Sequence, residues 1–175
     1  MTGPIRETTG RRVARGAALT LTGLFAILLE AAPLGLHPLA LPSPDLLACV
    51  LLCWAVRAPR AVPLALVFVL GVLRDMVTDV PPGLGALTLV LACETIKAVH
   101  ERLLRRAFLA EWLWVAGAVA GMLALQWLGV LVSLAQPPYP AQLFQQFTAT
   151  LIAYPLVVLF ARGVLRAPRR RPDPV

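Results

Sequence analysis

The sequence predicts an all-α, polytopic membrane protein with six transmembrane helices, and three observations predict it. Of its 175 residues, 59% are hydrophobic and only 14% are charged, too few charges to clothe a water-soluble fold. The apolar residues fall into six runs separated by prolines and basic clusters. The sixteen lysines and arginines gather at alternate joints, the asymmetry that orients membrane proteins.

The first run is Ala17 to Leu34, preceded by Arg6, Arg11, Arg12 and Arg15. A basic start before an apolar run also has the shape of a signal peptide. No small-x-small cleavage site follows, and further apolar runs do, so an uncleaved membrane helix is expected. The second run, Leu46 to Val56, is shorter than the about 20 residues of a full crossing. Ser43-Pro44-Asp45 before it reads as a helix start: serine as cap, proline in the first turn, aspartate against the positive dipole end. A helix this short must thin the membrane locally or be shielded by neighbours.

The third run begins at Ala61 and ends at Arg74–Asp75, and the fourth runs from Gly83 to Val99. The fifth, Trp112 to Ala135, opens on Trp112 and Trp114, indole rings expected at the membrane interface. Its Gly117 and Gly121 have the spacing that admits close helix packing. In the sixth, Leu143 to Leu165, Pro155 removes a backbone donor and is expected to bend the helix. The chain thus divides into a basic tail (1–16), a six-helix membrane domain (17–165) and a second basic tail (166–175).

Six crossings with a cytoplasmic N-terminus place every basic residue but Arg74 on the cytoplasmic side, the C-terminal Arg169, Arg170 and Arg171 included. The opposite joints carry no lysine or arginine. A five-crossing chain would export that arginine-rich tail. Both termini are therefore expected in the cytoplasm, with the chain in a bacterial inner membrane.

Other functions are excluded by what the chain lacks. The net charge of +7 comes in short clusters without interleaved stacking aromatics, so nucleic acid is not expected. Cys49, Cys53 and Cys93 all lie inside apolar runs, at spacings that suit packing rather than zinc or redox chemistry. His37 and His100 fall at opposite membrane faces and cannot share a metal. No nucleophile–base set accompanies the carboxylates, and no cofactor is expected.

The exception, Arg74, stands in "LRDMVTDVPPGLGAL" (Leu73 to Leu87). Ionisable residues at membrane depth are costly unless paired, facing protein or functional. Asp79 lies one turn beyond Asp75, Val80-Pro81-Pro82 cannot continue a helix, and Gly83 and Gly85 allow a tight path into the fourth helix. Glu30 is a possible partner for Arg74, and Glu94 has Lys97 at i+3. Three readings stay open: charges that neutralise one another, a polar patch on the outer half that receives a partner or ligand, or acid–base work by the paired carboxylates.

Two stretches resemble the MreD family of rod shape-determining proteins. In "SPDLLACVLLCWAVRAP", Pro44, Asp45, Trp54, Ala55, Arg57 and Pro59 are similar to the family's proline–aspartate, apolar run and aromatic–alanine before a basic–proline turn. In the charged stretch, Asp75, Pro81 and Gly83 match, while Asp79 stands where the family usually has glycine and Gly85 where histidine is frequent. The resemblance implies a non-enzymatic scaffold of the cell-elongation machinery. Its implied partners are MreC, the RodA glycan polymerase and a class B penicillin-binding protein, with MreB reached through MreC; the basic rim suggests anionic lipids as well. It also implies a fold similar to the substrate-binding subunits of energy-coupling-factor transporters, so a small-molecule-binding transporter subunit is the alternative. On the scaffold reading, Asp75→Ala should weaken complex assembly more than it lowers protein level.

Overall fold

The computed structural model describes residues 9–31, 44–78, 82–105, 107–133 and 139–164. Among them are six α-helices and no strand: α1 (Thr9–Ala31), α2 (Leu46–Arg57), α3 (Leu64–Asp75), α4 (Leu84–Leu104), α5 (Phe108–Val132) and α6 (Pro140–Val164). A single 3-10 turn, Pro59–Ala61, joins α2 to α3. The all-helical class and the number of helices agree with the sequence reading. Among the described residues, Phe108–Val132 of α5 and Pro140–Ala161 of α6 are long and apolar enough to cross a membrane.

Helix α1 starts eight residues before the apolar run, at Thr9 rather than Ala17. Arginine is a good helix former, so the helix continues through a segment that hydrophobic periodicity alone reads as tail. At α2 the cap differs too. Asp45 is the N-cap and its side chain accepts from the Ala48 N–H at 2.8 Å, while Ser43 lies outside the described residues. A carboxylate outcompetes a hydroxyl there because it also opposes the helix dipole.

Helix α2 is the centre of the fold. It packs against α1, α4 and α6, and nine of its twelve residues are buried. Helix α3 lies along α4, α4 along α5, and α5 along α6. The short α2 is thus covered largely by neighbouring helices. In lipid, moving a leucine between acyl chains and protein gains little, so close packing and polar contacts carry helix association.

The structure gives further detail for residues noted in the sequence. The Trp112 indole N–H donates to the Leu151 carbonyl at 3.2 Å, tying α5 to α6, whereas Trp114 is well exposed. A partly buried indole gains from such a partner. Gly117 and Gly121 face open space, with no atom among the described residues within 4 Å of where a Cβ would stand. Pro155 lies inside α6 (Pro140–Val164).

Candidate functional site

Both ends of α2 carry buried charge. At its N-terminal end Asp45 has three roles. It caps its own helix, its backbone N–H donates to Thr150 Oγ1 of α6 at 3.0 Å, and its Oδ2 lies 2.9 Å from Arg74 Nη2. Arg74 comes from the last turn of α3, and its Nε is 3.5 Å from Glu30 Oε2 of α1. Glu30 in turn accepts from the Leu47 N–H at 2.9 Å. One guanidinium thus joins α1, α2 and α3, while Thr150 adds α6.

The group is buried and incompletely matched. Arg74 and Asp45 are 5% and 2% exposed. Arg74 Nε and Nη1 and Asp45 Oδ2 have no aligned hydrogen-bond partner, so the Arg74–Asp45 approach is an ion pair off hydrogen-bond alignment. Burying such a set demands close geometry to offset desolvation.

Asp75, next in sequence to Arg74, faces a different partner. Its Oδ2 accepts from the backbone N–H groups of Gly83 and Ala86, both at 3.0 Å. Helix α4 begins on Gly83, which has no side chain to cap it, so Asp75 reaches across from α3 to cap it instead. Gly83 takes φ +93°, the left-handed conformation that glycine adopts without penalty. At Gly85 a Cβ would run into the Asp75 carboxylate. The pair in "LRDM" is therefore two devices back to back: Arg74 gathers helices, and Asp75 starts one.

At the C-terminal end of α2, Arg57 meets Glu111 of α5 through two nitrogens, at 2.9 and 3.3 Å. The Tyr154 hydroxyl of α6 donates to the same carboxylate at 2.6 Å. Arg57 Nη1 also reaches the Cys53 carbonyl. Trp54 is buried beside it, and Pro59 opens the 3-10 turn. Farther along, Lys97 Nζ contacts Glu94 at 2.7 Å and the Val62 carbonyl at 2.6 Å, fastening α4 to the start of α3.

Of the residues singled out in the sequence, Glu30, Asp45 and Arg74 thus form one group, Asp75, Gly83 and Gly85 a second, and Glu94 and Lys97 a third. Arg57 belongs to a fourth group, Pro44 precedes the α2 cap, and Asp79 and Pro81 lie outside the described residues. Glu111, Tyr154 and Thr150 were not singled out, nor was the buried Gln126, whose amide donates to Thr88 Oγ1 at 3.1 Å. Glu111 had one available signal, a lone carboxylate at the mouth of a long apolar run, in need of a cation. Among the described residues no group of three metal-binding side chains occurs.

An apolar groove of about 280 Å³ runs between α1 and α6 with α2 as its floor, lined by Phe25, Ala26, Val50, Trp54, Leu156 and Phe160 among others. A second, of about 430 Å³, lies between α4 and α5 beside Gly117 and Gly121.

Comparison with known proteins matches residues 10–164 to the family described as rod shape-determining protein MreD. No curated protein and no solved structure matches, so the transporter-like fold implied by the resemblance gains no support. Among the motif positions, Asp45, Arg57, Asp75 and Gly83 take part in contacts between helices, and the match spans all six. The chain belongs to the MreD family, membrane proteins that act in rod shape determination.

Proposed function

We propose that the chain is a non-enzymatic scaffold of the bacterial elongation machinery that crosses the inner membrane six times with both termini in the cytoplasm. It binds MreC and, through it, connects peptidoglycan synthases (RodA and a class B penicillin-binding protein) to the MreB cytoskeleton. Basic residues at the cytoplasmic joints meet anionic lipid. In this arrangement the Asp45–Arg74 end of α2 is outer and the Arg57 end inner.

The observation that carries this reading is the use made of the buried charge. Arg74, Asp75 and Arg57 are engaged in holding helices together, which supports a structural rather than a chemical role. Because Arg74 and Asp75 are buried, a partner meets them only through the surface they shape. The groove between α1 and α6 is the better seat for a partner's transmembrane helix. Its lining is apolar, and it presents the exposed side chains of Phe25, Leu156 and Phe160.

In-cell photocrosslinking tests the proposal. A crosslinking residue at Phe25, Leu156 or Phe160 should give an MreC adduct, and one at Leu128 on α5 should not. Adducts from Leu128 alone would move the interface to the other face. None from any position would overturn direct binding through the helices.

A further inference from the structure

Helices α4 and α5 run antiparallel, and a polar contact between them sets their register: the Gln126 amide on Thr88 Oγ1. Both helices rise by about 1.5 Å per residue. Moving from Thr88 toward the end of α4, and equally far from Gln126 toward the start of α5, brings Arg102 level with Trp112 and within one turn of Trp114.

The groove of about 430 Å³ lies between these helices. Ala92 and Thr95 line it from α4, and Gly117, Ala118, Gly121 and Met122 from α5. The room comes from the two glycines, since no described atom lies within 4 Å of either Cβ position. At its inner end stands Trp114, which is well exposed. Its indole N–H, unlike that of Trp112, has no hydrogen-bond partner among the described residues.

Charge is sorted across α4. Arg102 lies seven residues beyond Thr95, hence on the groove side of the helix, and it is exposed. Glu94 lies on the other side, where Lys97 binds it while also bonding the Val62 carbonyl beside α3. Glu101 is seven residues beyond Glu94 and shares that side. On α5, Glu111 is buried against Arg57 and Tyr154. The inner end of the groove therefore presents a guanidinium and an indole donor, with these carboxylates turned elsewhere.

We propose that the α4–α5 groove binds an anionic phospholipid of the inner leaflet, its acyl chain over Gly117 and Gly121 and its phosphate at Arg102 and Trp114. An apolar channel that ends in a cation at the level of an interfacial tryptophan matches both halves of such a molecule. Anionic lipid is concentrated in that leaflet. The site deepens the reading of the basic joints as lipid contacts and rests on the six-crossing arrangement proposed above.

Native mass spectrometry of the full chain in detergent tests it, by titrating phosphatidylglycerol and phosphatidylethanolamine with identical acyl chains. Phosphatidylglycerol should bind about fivefold tighter, the factor expected of one arginine facing a net negative head. Arg102→Gln should abolish that preference. Gly121→Leu should weaken both lipids about tenfold, as about two methylenes lose their seat. Equal binding of the two lipids by the parent, or a preference that survives Arg102→Gln, overturns the proposal. So does an unchanged affinity in Gly121→Leu, which would put the chain elsewhere. A dimer that Gly121→Leu dissolves would instead give the groove to a second copy. Should Gly121→Leu not be recovered folded, Gly117→Leu, at an equally open position, takes its place. The measurement contains no MreC, so its failure leaves the scaffold reading standing, while that reading fails on the crosslinks from α1 and α6.

Discussion

At one end of α2 a single guanidinium, Arg74, faces two carboxylates and leaves two of its nitrogens without an aligned acceptor. At the other end Arg57 faces one carboxylate, Glu111, through two nitrogens, and Tyr154 completes the set. The first group has the wider reach, touching α1, α2, α3 and α6, and the poorer geometry. The second is narrower and fully matched. Removing one partner of a buried charge set exposes whatever remains unpaired, so the two ends should respond very differently to the same substitution.

The sharpest way to break that contrast is to neutralise both arginines. Arg74→Met leaves Glu30 and Asp45 buried without a counter-ion and should cost about 3–5 kcal/mol. Arg57→Met should cost less, because Glu111 keeps the tyrosine hydroxyl and the Arg57 side chain is 17% exposed. Thermal unfolding in detergent gives the order, and a larger loss at Arg57 would refute the ranking. Asp75→Ala comes next. It uncaps α4 and should cost about 1–2 kcal/mol, lowering protein level and complex assembly together, with Asp75→Asn intermediate. Assembly lost at an unchanged protein level would restore the surface role read from the sequence. Tyr154→Phe sharpens the comparison at the matched end. It removes one hydrogen bond to Glu111, worth about 1 kcal/mol, and a melting curve should resolve that from the parent.

Hydrophobic runs and proline joints made the six helices legible, because both depend on local sequence. The ends of α1 were less so, since arginines can continue a helix without adding to an apolar pattern. The site was legible in part. Arg74 and Asp75 stood out as charges in an apolar setting, and Asp45 as a capping residue. Their partners did not follow from sequence order, because adjacent residues on a helix point about 100° apart and serve different neighbours. Arg74 pairs across to Asp45 and Glu30 rather than with Asp75, a fact fixed by how α1, α2 and α3 meet. Tyr154 and Thr150 gave no signal at all. Each resembles any other residue of α6 until α2 is laid against it.

Helix α2 is packed between α1, α4 and α6, and this bears on how the protein is made. As the chain leaves the ribosome, α2 emerges with its two polar ends exposed, Asp45 at one and Arg57 at the other. Arg74 arrives some thirty residues afterwards, Glu111 later still, and Thr150 with the final helix. Twelve residues flanked by unneutralised charge make a poor independent membrane segment. Its secure insertion therefore waits on helices not yet synthesised, and α2 is the segment most dependent on insertase or chaperone shelter during translation.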